Sequence, residues 1–389
     1  MIYLDYNATT PLCAPARAAM RPYLEEHFGN PSSIHAAGRE ARAAVDDARD
    51  QLAAILHAKP HELIFTGSGT EANNLAVLGL ARSRRERGRH LICSSTEHHA
   101  VLHAFEHLQK HEGFEATFLR VDGGGRIDLE QLASAIRADT TLVSVMSANN
   151  ETGVVQPIAE IGAICRARGV LLHSDMVQSF AKQPTDLAPV DAASFAAHKF
   201  YGPKGAGLLY LRAGIALEPI QFGGAHENQR RPGTENVAAI AGLAAAAAWA
   251  SEHVAQEQAR TAALRDQLWA EIAAAFPDAR QNGDTAHRLA NTLNVSFLGL
   301  SSETMLMVLD LEGVCVSSGS ACMVGSVVAS HVLLAMGTSN DVATSAIRFS
   351  LGKQTTAAEM EAAAGKIRRS ISRLGATKRP PAEQLYAAV

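Results

Sequence analysis

The chain has 389 residues, 47% of them hydrophobic, and 35 Lys and Arg against 39 Asp and Glu give a formal net charge of −4. That length suits two domains and that apolar content supplies a buried core, which excludes a disordered chain. The near-neutral charge carries no nucleic-acid footprint, and the five scattered cysteines (Cys13, Cys93, Cys165, Cys315 and Cys322) form no CxxC pair, which excludes a zinc ribbon or disulfide framework and suits a reducing compartment.

The opening run MIYLDY lacks the basic segment and long apolar stretch of a secretory leader. The alanine-rich stretch Ala238 to Ala250 is too short and too weakly hydrophobic for a membrane span. A cytoplasmic protein with no membrane partner is expected.

The turn-rich start, Asn7 to Pro11, is expected to pack on the second domain. Ala41 to His57 places Val45, Ala48, Leu52, Ile55 and Leu56 on one helical face. Strands at Leu63–Thr66, Leu91–Ser94, Ala116–Val121, Thr141–Ala148 and Val170–His173 then alternate with helices at Glu71–Ala81, Val101–Lys110 and Ile158–Arg168. Alternating strand and helix predict an α/β fold, a mostly parallel sheet with helices on both faces. From Glu235 to Phe276 there is no proline, and only Gly242 interrupts the pattern, so this is one bridging helix or two end to end. A different mixture follows: strand Thr292–Phe297, helix Thr304–Leu311, strands Val314–Ser317 and Ile347–Leu351, then a terminal helix and a Pro380-Pro381 tail. The boundary is placed near 255, giving a large domain of 13–255 and a small one of 1–12 with 256–389.

Four segments carry candidate chemistry. In FTGSGTEANN (Phe65 to Asn74) a strand enters a glycine-serine turn and then a helix; free N–H groups at a helix start bind phosphate, and small residues let it approach. An ordinary turn capped by Thr70 explains that pattern equally well. Asp175 ends an apolar strand, where ligands bind in open α/β sheets, and an acid there can pair with a protonated heteroaromatic nitrogen. Lys199 stands among His198, Phe200 and Tyr201; partial loss of solvation makes it a candidate Schiff-base amine, against the usual reading of a snorkelling surface lysine. Cys322 sits in a Ser/Gly-rich segment that suits an accessible, reactive thiol, whereas the other four cysteines read as ordinary buried thiols.

Together these segments resemble the cysteine desulfurases of the NifS/IscS type, in the class V aminotransferase family of pyridoxal 5'-phosphate (PLP) enzymes. YLDYNATTP (Tyr3 to Pro11), FGNPSS (Phe28 to Ser33), GTEANN, TEH (Thr96 to His98), NNETG (Asn149 to Gly153), HKFYGPKG (His198 to Gly205), RPGTENV (Arg231 to Val237), SSGSAC (Ser317 to Cys322) and RFSLG (Arg348 to Gly352) occur in family order across nearly the whole chain. The resemblance implies the fold-type I architecture: a large domain with a mostly parallel seven-stranded sheet flanked by helices, and a smaller α+β C-terminal domain carrying the catalytic-cysteine loop. It implies Lys199 as the lysine that carries PLP, Asp175 as the partner of the pyridine nitrogen, and His98 as the residue stacked on the ring and moving protons. Asn150 and Gln178 look like partners of the PLP 3-oxygen and of substrate, and Gly69, Thr70 and His198 like the phosphate cradle. Thr234 looks like a phosphate ligand given by a second subunit of a homodimer. Arg348 looks like the clamp on the substrate carboxylate, and Cys322 like the acceptor of sulfur from L-cysteine, which leaves as L-alanine.

The resemblance further implies a sulfur-acceptor protein, such as an iron-sulfur cluster assembly scaffold or a thiolation enzyme, as partner. The chain departs from the family at Ala196, a cofactor-contact position where a serine is usual, at Met176, in Ala225 to Arg230, and in the apolar run Met323 to Ala329. A selenocysteine lyase or another C–S lyase on the same scaffold is the nearest alternative. A class V aminotransferase or kynureninase-like enzyme needs no nucleophilic thiol, and an inactive scaffold homologue would not need Lys199, Asp175, Arg348 and Cys322 together.

Overall fold

The structure is a computed structural model, and it describes residues 1–318 and 329–377. Cys322, most of the 323–329 run and the Pro380-Pro381 tail lie outside the described residues.

Among the described residues twelve strands follow in chain order: β1 Ile2–Tyr3, β2 Leu63–Thr66, β3 His90–Ser94, β4 Glu115–Leu119, β5 Thr140–Ser144, β6 Leu171–Asp175, β7 Ala192–Ala196, β8 Gly207–Leu211, β9 Ala279–Gln281, β10 Thr292–Phe297, β11 Val314–Cys315 and β12 Ala346–Ser350. Seven of them form one sheet in the order β2-β8-β7-β6-β5-β3-β4, parallel throughout except for β8, which runs against β2 and β7. The expected α/β architecture with a mostly parallel seven-stranded sheet is therefore present.

Alternation along these strands builds the layers. Ile64, Leu91, Cys93, Leu142, Leu171, Ala192 and Leu209 face one apolar cluster, which contains Leu75, Leu80 and Phe105 from the helices Gly69–Ser83 and His99–His111. Their sequence neighbours Phe65, Ile92, Val143, Leu172, Ala193 and Leu208 face the other, with Val45 and Leu52 from Ala36–Leu56 and Leu243 from Val237–Ser251. Successive side chains on a strand point to opposite faces, so a run buried on both sides reads as continuously apolar.

Glu235 to Phe276 is two helices, Val237–Ser251 and Val254–Ala275, set 72° apart. Glu252, with ψ 130, ends the first helix in an extended conformation, and His253, with a left-handed φ of 58, precedes the second, so the chain turns without a proline. No single helix among the described residues is long and apolar enough to cross a membrane.

A third cluster joins Leu264, Leu268 and Ile272 to Leu293, Val295, Ile347 and Phe349 of the antiparallel sheet β12-β10-β9. Ile2 and Leu4 belong to it, because β1 pairs in parallel with β11 and Asp5 bridges to Ser350. Ile2 to Asp5 thus pack with residues from the far end of the chain, whereas Thr10 N–H bonds the His198 carbonyl at 2.9 Å.

Two strands are shorter than expected by two residues or more, and β4 ends at Leu119 rather than Val121. β5 ends at Ser144, because from Val145 the chain leaves the ladder for the NNETG turn, although Val145 and Ser147 N–H still reach the carbonyls of His173 and Asp175. β11 ends at Cys315, and Ser317 instead forms an isolated bridge with Arg348. Cys315 is half-buried, unlike the buried Cys13, Cys93 and Cys165, because it lies on this short two-stranded edge.

Candidate active site

Segments leaving the C-terminal ends of β2, β3, β5, β6 and β7 converge on one cavity of about 440 Å³. Parallel strands bring their C-terminal ends to one edge, so residues remote in sequence become neighbours there. The lining contains Gly69, Thr70, His98, Asn150, Asp175, Gln178, Ala196, His198, Lys199 and Arg348. Every expected site residue among the described ones is there except Thr234, which is exposed and lies outside the lining.

The turn after β2 starts a helix. Ser68 caps it: its Oγ accepts from Glu71 N–H at 3.1 Å and its carbonyl from Ala72 N–H at 3.0 Å. Gly69 and Thr70, in the same first turn, line the cavity, where helix N–H groups lack intrahelical acceptors. A Cβ at Gly69 would come within 2.9 Å of Val177 Cγ2 and 3.1 Å of the Ala196 methyl, so only glycine lets this helix start lie so close to β6 and β7.

Asp175, the last residue of β6, is buried and held at both oxygens. Oδ2 accepts from Asn73 Nδ2 at 2.6 Å and Oδ1 from Val177 N–H at 2.9 Å. His98 caps the next helix, its Nδ1 accepting from Ala100 N–H at 3.1 Å. Burial lowers its pKa below the usual 6.5 and Lys199 adds to this, while Asp175 opposes it. A mostly neutral imidazole is the form that accepts a proton.

Lys199 follows β7 in a single 3-10 turn. Its Nζ donates to the carbonyls of Asn7 at 2.7 Å and Ala8 at 2.8 Å, so the amine is held by neutral oxygens from the N-terminal segment. His198 Nδ1 lies 3.2 Å from Thr9 Oγ1, and burial, with Lys199 nearby, pushes its pKa down to about 4.

Arg348, in the middle of β12, crosses from the antiparallel sheet to the cavity. One terminal nitrogen donates to the Asn150 carbonyl at 2.9 Å and the other to Asp5 Oδ1 at 2.7 Å. Its Nε is buried without a partner, as is Asn73 Oδ1. Orphaned buried polar atoms are costly unless a ligand meets them.

These features fit pyridoxal phosphate. The glycine-tight helix start suits a phosphate, the fixed carboxylate suits a protonated ring nitrogen, and the amine and imidazole stand on the walls between. Ala196 lines the cavity but offers no hydroxyl. Sequence reasoning missed Asn7, Ser68, Asn73 and Val177 as lining residues. Asn7 and Asn73 stood inside quoted motifs, but their partners lie 192 and 102 positions away in sequence, at Lys199 and Asp175, which no local pattern reveals.

The family model for class-V aminotransferases matches residues 2–362. A cysteine desulfurase IscS from Dictyoglomus turgidum is 44% identical over 375 residues, 96% of this chain and 95% of that protein. Among solved structures, a NifS-like protein superposes with a TM-score of 0.90 at 35% identity, covering 96% of this chain and 99% of that one. SspA in complex with cysteine gives a TM-score of 0.80 at 35% identity, over 90% of this chain and 99% of that one. With the cavity geometry and a family match over residues 2–362, the chain belongs to the class-V aminotransferase family, among its cysteine desulfurases.

Proposed function

We propose that the protein is a PLP-dependent cysteine desulfurase that converts L-cysteine to L-alanine and places the sulfur on Cys322. The carrying observation is the meeting of Lys199, Asp175, His98 and Arg348 on one cavity. SspA, a structural neighbour, binds cysteine, which supports that amino acid as substrate.

Gly69, Thr70 and His198 would seat the cofactor phosphate, Asp175 would hold the ring nitrogen, Gln178 and Asn150 would meet the 3-oxygen, and Lys199 would carry the aldehyde carbon. When bound, the cofactor supplies an electron sink that makes the substrate Cα–H acidic. Arg348 orients the substrate carboxylate through Nε and, by displacing the Asn150 carbonyl, through a second N–H. Lys199 Nζ, released from the Asn7 and Ala8 carbonyls, takes the Cα proton, and neutral His98 takes the proton of the substrate thiol or of Cys322. Cys322, as thiolate, attacks the substrate sulfur. An S–S bond forms and the C–S bond breaks, its electron pair staying with the substrate Cβ. One proton delivered to Cβ and the proton that Lys199 took returned to Cα complete the alanine, and a persulfide remains on Cys322.

A homodimer completes the proposal. Phe28, Ile34 and Phe222 are 91%, 90% and 89% exposed, and Ser32 Oγ lies 3.2 Å from His226 Nε2, which ties their two segments together. Such a cluster marks an association face, and a second copy there would bring its exposed Thr234 to this site. The division into 13–255 and 1–12 with 256–389 is supported by the separate apolar cluster shared by Ile2, Leu4 and the C-terminal residues. The persulfide would pass to a cytoplasmic sulfur-acceptor protein.

The test is to incubate the PLP-loaded protein with L-cysteine or L-selenocysteine and measure alanine. Alanine from cysteine, with a persulfide mapped to Cys322, is expected. Alanine from selenocysteine alone would instead identify a selenocysteine lyase.

A further inference from the structure

Lys182 lies behind the cavity wall and has no part in the chemistry above. Lys182 is half-buried, and Nζ donates to Gln178 Oε1 at 2.8 Å and Asn7 Oδ1 at 3.1 Å. Both acceptors are neutral, and among the described residues no carboxylate forms an ion pair with it. A lysine amine drawn from water without a counter-ion is costly, so a lysine kept here has to be explained by what it holds.

It holds two residues that line the cavity. Gln178 Nε2 donates to the Asn7 carbonyl at 3.0 Å, and the same carbonyl receives Lys199 Nζ at 2.7 Å. The Asn7 side chain is fixed as well: Oδ1 also accepts from Asn291 Nδ2 at 3.1 Å, and Nδ2 donates to Thr292 Oγ1 at 2.9 Å. An amide has one acceptor oxygen and two N–H donors. With Gln178 Oε1 tied back to Lys182 and one N–H spent on Asn7, what Gln178 offers the cavity is a donor. An N–H donor suits an anionic oxygen there; a turned amide would present its own oxygen and repel it.

We propose that Lys182 is a positioning residue for the desulfurase reaction, which locks Gln178 as a hydrogen-bond donor to the cavity and keeps Asn7 in place as the seat of Lys199. This rests on the PLP-dependent reading of the site. The charged groups around Lys182 are Lys199 and Arg348, which with burial draw its pKa well below the ordinary lysine value, and His198, whose own pKa Lys182 helps to lower. Beyond it, a small second cavity carries Glu257 and Lys353, and Asp5 pairs with Arg348.

The test compares Lys182→Met and Lys182→Gln in the full-length PLP-loaded protein, reading cofactor content, the pH midpoint of the cofactor's visible band, and KM and kcat for cysteine. Methionine removes both the hydrogen bonds and a like charge beside Lys199, whereas glutamine restores an N–H donor without the charge. The expectation for Lys182→Met is a kcat lowered by about tenfold with KM within about twofold, and a band midpoint moved to higher pH. Lys182→Gln should keep the raised midpoint and recover most of kcat. Unchanged midpoint and kcat in Lys182→Met would overturn the proposal. If Lys182→Met fails to fold, the glutamine variant decides: near-normal kcat with a raised midpoint supports the proposal, and a folded glutamine variant with an unmoved midpoint or a tenfold lower kcat overturns it. Absence of a cofactor band or of alanine in the unsubstituted protein would instead refute the underlying reading.

Discussion

Arg348, which lines the cavity, forms a 2.7 Å ion pair with Asp5, and each comes from a segment that joins the antiparallel sheet rather than the large one. The pair fixes the guanidinium plane while its Nε stays without a partner. A lysine at 348 would keep the charge but lose the planar fork. Arg348→Lys should raise KM for cysteine by at least about tenfold, equivalent to about 1.4 kcal/mol, with the cofactor band intact. An unchanged KM would remove Arg348 from substrate binding.

Lys199 is the amine among the cavity-lining residues that the Asn7 and Ala8 carbonyls direct. Lys199→Ala should fold, bind PLP without the band of a lysine-linked cofactor, and form no alanine. A spectrum identical to that of the unsubstituted protein would refute its role.

Cys322 is proposed to act on substrate sulfur and not to bind the cofactor. Cys322→Ala should therefore keep the cofactor band and lose alanine formation in the absence of an added thiol. Full alanine formation without one would move the sulfur acceptor elsewhere.

Ala196 lies beside Gly69 with a methyl where a hydroxyl could reach a phosphate. One added hydrogen bond contributes about 1 kcal/mol, so Ala196→Ser should tighten PLP binding about fivefold. Equilibrium titration of the cofactor-free protein measures this, and equal or weaker binding counts against the phosphate seat.

His173 is buried in β6 between Ser144 Oγ at 2.8 Å and Ser194 Oγ at 3.0 Å, and burial pushes its pKa down to about 3. Its folded-state pKa lies below the unfolded value near 6.5, so as pH falls below 6.5 the unfolded chain takes up a proton that the folded chain refuses. Stability should then fall on acidification, by up to about 1.4 kcal/mol per pH unit from this residue, and level off only below about pH 3. His173→Gln should show a shallower loss of Tm between pH 6.5 and 5. The same slope in both proteins would place the acid sensitivity elsewhere.

The repeating strand and helix order, the two-faced burial of the sheet and, through the quoted motifs, chemically active cavity residues such as His98, Asp175, Lys199 and Arg348 were legible in the sequence, whereas other lining residues such as Asn7, Asn73 and Val177 were not. Apolar runs such as Leu171 and Leu172 are local and alternate by the geometry of a strand, so they can be read without coordinates. Motif residues such as Asp175 and Lys199 could be named because their neighbours in the chain fix where each strand ends. How these groups are held depends on contacts made by folding. Asn73 sets Asp175, Asn7 and Ala8 seat Lys199, Asp5 pairs with Arg348, and Lys182 orients Gln178. Three of these contacts span 191 positions or more, Lys199 with Asn7 and with Ala8, and Arg348 with Asp5, because the N-terminal segment reaches both the Lys199 turn and β12. Hydrogen bonds act over about 3 Å in space whatever the separation along the chain, and only the folded chain brings the partners to that distance.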